Sequence, residues 1–199
     1  MSLRRVVLAS ASPMRAELLC RAGVDFATEV AAVDEPTIRE SLAKEGAGAE
    51  DAADALAEAK AMRISRRRPD DLVIGADQIL DLDGTWLEKP GTVERAKIQL
   101  AALSGRRHRL VSAAVVVEGG ARIWGGSDAA SLTMSRLDDE QIAAYLAEAG
   151  PAVLGSVGCY QIEGIGMRLF KLIQGDHFTI LGLPLLPLLD FLRQHGAAP

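Results

Sequence analysis

Cysteine is nearly absent from this chain. Its 199 residues include only Cys20 and Cys159, far apart in sequence and with no histidine at ligand spacing beside either. That excludes a disulfide framework and a zinc site, and both side chains are expected to be buried packing residues. Long apolar runs are missing as well. No stretch approaches the roughly 20 residues that a membrane-spanning helix requires, and Arg4 and Arg5 are not followed by an apolar segment of signal-peptide length. A cytoplasmic location with no membrane partner is therefore expected. Positive charge is not in excess: the formal net charge is −5, which argues against a nucleic-acid partner, because affinity for a polyanion comes from clustered Lys and Arg. The one basic run, Arg66-Arg67-Arg68 before Pro69, suits the end of a helix. Aromatic residues make up only 4%, and Trp86 and Trp124 read as packing residues on hairpins, not as stacking platforms.

What is present is enough apolar residue for a proper core, 49% of the chain, arranged in an alternating α/β pattern. Arg5 to Ala9 reads as a buried strand. Ser12 stands where a helix N-cap is expected and Pro13 at the first helical position, so a helix runs from there to about Gly23. Leu56, Ala59 and Met62 recur at helical spacing over residues 50–65, and Asp71 to Asp77 is a second buried strand. Asp83-Gly84 turns that strand into a hairpin with Trp86-Leu87. Thr92 caps a helix ending at Leu103; strands over 109–117 and 121–135 flank Gly119-Gly120; Asp138 with Gln141 forms a capping box for a helix to about Ala149. A last strand and a helix from about Pro184 follow. Hairpins mixed with crossover helices imply a mixed sheet, not an all-parallel one. The Glu45 to Ala49 patch, with Gly46 and Gly48, is the hinge-like stretch.

Chemistry-bearing residues gather beside these elements. The helix start at Ser10-Ala11-Ser12-Pro13-Met14-Arg15 presents unpaired backbone N–H groups, two hydroxyls and a forked cation, a set that suits phosphate oxygens. Asp77, at the end of an apolar strand, is an expensive carboxylate unless it meets solvent, a metal or a cation. Lys89 lies on the far limb of the first hairpin, Lys60 on the preceding helix, and Asp34-Glu35 in an earlier loop. Taken singly, Lys60, Asp34 and Glu35 read as solvated surface. Together, Ser10, Ser12, Arg15, Lys60 and Lys89 supply anion donors, and Asp34, Glu35 and Asp77 supply the carboxylates that hold a hard divalent ion and orient water. His177 reads as a turn residue and His108 as a structural or peripheral residue. On residue chemistry alone this is a metal-dependent phosphate-ester or anhydride enzyme.

Five ordered blocks add a resemblance. Leu8 to Leu19 (LASASPMRAELL), Val73 to Gln78 (VIGADQ), Glu88-Lys89-Pro90, Leu103 to His108 (LSGRRH) and Gly175 to Leu185 (GDHFTILGLPL) resemble the successive signature blocks of the Maf family of nucleoside triphosphate pyrophosphatases, also described as septum formation inhibitors. The resemblance implies a single Maf-like domain over 1–199 with the fold of the inosine-triphosphate pyrophosphatases: an elongated α/β molecule with a long twisted mixed sheet and a cleft between two lobes. It also implies hydrolysis of a nucleoside triphosphate to the monophosphate and pyrophosphate with Mg²⁺ or Mn²⁺. Asp77 matches the family's general base. Lys60 and Lys89 match its phosphate-contacting lysines, Ser10 and Arg15 its first-block contacts, and Asp34 or Glu35 an acidic metal position. A homodimer is a common state for compact cytosolic enzymes.

Departures from the commonest family pattern bear on the base. Met14 replaces the first of two arginines, Gln78 follows Asp77 where threonine is common, and Glu163 stands in Ile162-Glu163-Gly164 where glutamine is common. These, with Gly166 to Phe170, resemble the branch associated with 7-methyl-GTP, whereas Arg106-Arg107-His108 resembles the branch associated with dTTP and UTP. A carboxylate at Glu163 can accept from the N1–H and exocyclic amine of a guanine edge, with Gln78 assisting, and complements the positive charge of a methylated purine. The alternatives are a dTTP/UTP-type enzyme and a nucleotide-binding regulator of cell division without significant turnover.

Overall fold

The computed structural model describes residues 4–199. Its seven-stranded sheet has the strand order β2 (Phe26–Thr28), β1 (Val6–Ala9), β3 (Leu72–Leu82), β5 (Arg107–Glu118), β6 (Ala121–Met134), β7 (Phe170–Gln174), with β4 (Thr85–Leu87) paired to β3. The chain divides into two compact units, the first made of residues up to Gln78, Val111–Ala129 and Asp176–Pro199, the second of Ile79–Leu110 and Ala130–Gly175.

In the first unit, β1 (Val6–Ala9) is buried along its whole length and lies parallel to β2 (Phe26–Thr28) on one side and β3 (Leu72–Leu82) on the other. Unbroken apolar character is what a strand covered on both faces requires. Leu8, Leu19, Ile74, Val116 and Leu188 form part of the core here, each contributing about 1.5–3 kcal/mol by leaving water. Helix α1 (Pro13–Arg21) starts as its sequence dictates, with Ser12 Oγ accepting from the Arg15 N–H and Pro13 at the first position. Helix α3 (Ala49–Ser65) buries Leu56, Ala57, Lys60, Ala61 and Ile64 along one stripe. Gly75 of β3 permits its close approach: a Cβ there would sit 2.0 Å from the Ala57 carbonyl oxygen and 2.7 Å from the Ala61 nitrogen. Preceding α3 in the chain is α2 (Glu35–Lys44), which buries none of its residues. The unit closes with the short α6 (His177–Leu181) and α7 (Leu185–Gln194). Trp124 stacks on Phe191 of α7 at 5.6 Å between ring centroids.

The second unit holds β4 (Thr85–Leu87), antiparallel to the end of β3 across Asp83 and Gly84. Both turn residues have positive φ, 51° and 86°, the conformation that a two-residue hairpin demands. Helices α4 (Val93–Leu103) and α5 (Asp139–Ala149) are capped by Thr92 and by the reciprocal Asp138–Gln141 box. A series of 3₁₀ turns over 151–169 leads into β7 (Phe170–Gln174), antiparallel to the end of β6 (Ala121–Met134). Strand β5 (Arg107–Glu118) and β6 are joined through Gly119-Gly120, which belongs to the first unit. The sheet is therefore mixed.

Three expectations need correction. Asp34-Glu35 is not in a loop but opens α2, because Asp34 caps and Pro36 occupies the first turn. Cys20 is exposed while Cys159 is buried: the buried stripe of α1 runs through Arg15, Leu18 and Leu19, and position 20 lies off it. His177 begins a helix, capped by Asp176, where a turn was expected. Among the described residues no helix is long and apolar enough to cross a membrane.

Candidate active site

The site grows from the ends of β1 and β3. Their parallel register pairs Ala9 with Gly75, so the chain leaving β1 at Ser10 runs alongside Ala76 and Asp77. Ser10 is buried, and its Oγ accepts from the Ser12 N–H at 3.2 Å and from Arg15 Nη1 at 3.2 Å. Arg15 is buried too. Its Nη1 also donates to the Ala76 carbonyl at 2.9 Å and its Nε to the Gly182 carbonyl at 2.9 Å, so this guanidinium fastens α1 to the end of β3. Burial pulls Arg15 below its ordinary pKa, and the charges of Asp77 and Glu35 oppose that shift.

Asp77 is only 4% exposed. Side chains alternate along a strand, so Asp77 shares a face with Gly75 and points toward α3. The close approach that Gly75 allows is what brings Lys60 of α3 within 2.5 Å of Asp77 Oδ1. Lys60 Nζ also lies 2.9 Å from Glu35 Oε1. The expectation that Lys60 is solvated is thus corrected: its position four residues from both Leu56 and Ile64 puts it on the buried stripe of α3.

Arg39 completes the cluster, and the sequence reading missed it. It stands one helical turn after Glu35 on α2, where i and i+4 share a face, with Nη2 3.2 Å from Asp77 Oδ2 and 3.8 Å from Glu35 Oε2. The signal was available in Asp34-Glu35-Pro36, an N-cap followed by first-turn proline, which turns Glu35 and Arg39 into neighbours. Two carboxylates and two cations thus share one cluster, in which the Asp77 and Lys60 side chains are buried, that of Arg39 is 14% exposed and that of Glu35 is 38% exposed. In a medium less polar than water, mutual pairing is what keeps such charges tolerable.

Two further predicted residues point elsewhere. Gln78 lies on the opposite face of β3 from Asp77, and its Nε2 contacts Ser112 Oγ and the carbonyls of Thr179 and Ile180 at 3.0–3.1 Å, tying β3 to β5 and α6. Asp34 accepts from the N–H and hydroxyl of Thr37 at 3.3 and 2.8 Å, which commits it to capping. Lys89 and Glu163 belong to the second unit, both exposed, one following β4 and the other in the turn before the last 3₁₀ segment.

Glu35 and Asp77, both in contact with one ammonium group, make a pair of hard oxygen donors. Among the described residues no cluster of three or more His, Cys, Asp or Glu is placed to hold a metal ion. Mg²⁺ needs only one or two protein carboxylates when it also takes water and substrate phosphates, so the donor set fits an ion that arrives with a polyphosphate.

The family model described as Maf-like protein matches residues 5–195. This chain belongs to the Maf family. Among its relatives are proteins named nucleoside triphosphate pyrophosphatase from Granulibacter bethesdensis, 49% identical over 97% of this chain and 98% of that protein, and from Paramagnetospirillum magneticum, 50% identical over 96% and 98%. A protein of Mesorhizobium japonicum named 7-methyl-GTP pyrophosphatase is 49% identical over 97% of each chain.

Proposed function

We propose that this Maf-family chain is a nucleoside triphosphate pyrophosphatase, cleaving the bond between the α- and β-phosphates by attack of water at the α-phosphorus. The observation that carries the reading is the buried Asp77 carboxylate, held between Lys60 and Arg39 next to the helix start at Ser10 and Ser12. Asp77 orients the attacking water and takes its proton. Lys60 counters negative charge at the phosphates and at the pyrophosphate leaving group, and exposed Lys89 adds a further phosphate contact. Arg15 keeps the Ser10 hydroxyl and the α1 N-terminus in place for the anion. A divalent ion, Mg²⁺ or Mn²⁺, would be held by Asp77 and Glu35, and when bound it neutralises phosphate charge and makes water easier to deprotonate.

Within this activity, the preferred base is 7-methylguanine, with the Glu163 carboxylate accepting from the guanine edge and complementing the methylated ring's charge. The Gln78 Nε2 is engaged with Ser112 and the α6 carbonyls, which leaves its carbonyl oxygen as the group to assist. A cytoplasmic enzyme that removes modified nucleotides is the role this reading describes.

The test is incubation of purified protein with Mg²⁺ or Mn²⁺ and 7-methyl-GTP, GTP, dTTP, UTP, CTP or ITP, resolving monophosphate, pyrophosphate and orthophosphate. Monophosphate with pyrophosphate, fastest from 7-methyl-GTP, is expected. Orthophosphate release would overturn the bond assignment. An unchanged ranking in Glu163→Gln would overturn the base-reading role, and absence of turnover with every triphosphate would favour a nucleotide-binding regulator.

A further inference from the structure

Asp77 meets a cation on each of its oxygens: Lys60 on Oδ1 at 2.5 Å and Arg39 on Oδ2 at 3.2 Å. Lys60 and Arg39 together balance Glu35 and Asp77, and Arg15 adds a further positive charge close enough to feel both carboxylates. Such a cluster has no surplus negative charge to attract a free divalent ion. It is, however, well matched to a polyphosphate. Arg39 also differs from Lys60 in its support. Its helix, α2, has no buried residues, and the Arg39 Nε is buried with no hydrogen-bond partner among the described residues. A buried donor in that state gains a bond by moving to an acceptor such as a phosphate oxygen.

We propose that Arg39 is a positioning residue that clamps Asp77 in the nucleotide-free protein and is drawn off Oδ2 by the substrate's phosphates, so that the divalent ion enters only with the nucleotide. This rests on the reading that Asp77 and Glu35 hold the ion. Guanidinium and ion compete for the same carboxylate oxygen, and the anionic substrate decides between them by giving Arg39 a second partner. Binding of nucleotide and of metal is then coupled, and by linkage each strengthens the other by the same factor.

The experiment measures Mn²⁺ uptake from the electron paramagnetic resonance signal of the free ion. It compares the unaltered protein with Arg39→Met, Arg39→Lys and Asp77→Asn, each with and without an α,β-methylene nucleoside triphosphate. Without nucleotide, Arg39→Met is expected to bind Mn²⁺ about tenfold more tightly than the unaltered protein, since a unit charge has left the ion's site. The nucleotide's enhancement of Mn²⁺ binding should fall by a similar factor. Arg39→Lys, which restores a cation at the same place, should return both values toward those of the unaltered protein. Mn²⁺ affinities within twofold of each other in Arg39→Met and the unaltered protein would overturn the clamp while leaving the ion at Asp77. If Asp77→Asn instead leaves Mn²⁺ uptake with nucleotide unaltered, the ion does not sit at Asp77, and the reading beneath the clamp fails with it.

Discussion

Both units of this protein bury titratable side chains, but they make them tolerable in opposite ways. In the first unit, the buried Asp77 and Lys60, with Arg39 and the half-exposed Glu35, form ion pairs with one another at 2.5–3.8 Å. In the second, His108 is 1% exposed and among the described residues its ring meets a single hydrogen-bond partner, the Tyr160 hydroxyl, at 2.7 Å. Phe170 packs edge-on against Tyr160 at 4.7 Å, and Gly158 leaves room for that ring. Among the described residues no countercharge faces His108. Burial therefore pushes its pKa from 6.5 down to about 4, and pushes the Tyr160 hydroxyl well above its ordinary value. The difference separates chemistry from architecture. A paired charge remains available to a phosphate, a metal or a proton, whereas a neutralised ring serves packing.

The comparison breaks most visibly at Asp77. Asp77→Asn keeps the shape and removes the charge, and turnover of triphosphate should fall by about 10²–10⁴-fold while nucleotide binding stays detectable by calorimetry. Near-normal turnover would show that the paired charges are architectural after all. Lys60→Met leaves two carboxylates with only Arg39 between them and should lower stability by about 3–5 kcal/mol in urea unfolding. Lys60→Met combined with Asp77→Asn should lose much less than the sum, because the orphaned charge is gone.

The second unit predicts a pH dependence instead. Because the folded pKa of His108 is depressed, the unfolded chain takes up a proton between pH 6.5 and 4 that the folded protein refuses. The contribution of His108 to stability is complete above about pH 6.5 and declines toward pH 4 by on the order of 3 kcal/mol. Urea titrations of His108→Phe and the unaltered protein across that range should show the variant losing less stability. Equal losses would mean that His108 is not held neutral. Smallest of all, Tyr160→Phe strips His108 Nε2 of its partner and should cost about 1–3 kcal/mol at pH 7, with no direct effect on turnover.

Much of the local structure was legible before folding is considered. Ser12-Pro13, Thr92, the Asp138–Gln141 pair and the Asp83-Gly84 turn are short-range signals whose partners lie within a few residues, and each stands where it was expected. The same holds for the buried strands at Val6 and Leu72, which are continuously apolar. Helix α2 escaped because its exposed face carries no hydrophobic periodicity. With it went Arg39, whose only conspicuous neighbour in sequence is Glu35. Lys60 was recognised through family resemblance, although its place on the Leu56–Ile64 stripe was a physical clue to burial. Asp34 shows something the family match did not convey: its carboxylate accepts from the N–H and hydroxyl of Thr37 as the cap of α2.

By itself the sequence determined the caps, the turns, the mixed order of strands and helices, and the family to which the chain belongs, because each depends on neighbours in the chain or on ordered motifs. Only the tertiary structure decided which charges meet. Asp77, Lys60, Glu35 and Arg39 come from three elements, and they converge because Gly75 lets α3 lie against β3 and because a strand sends Asp77 and Gln78 to opposite faces. Burial then makes pairing compulsory for the charges and neutrality compulsory for His108, a distinction set by packing distance and not by residue type.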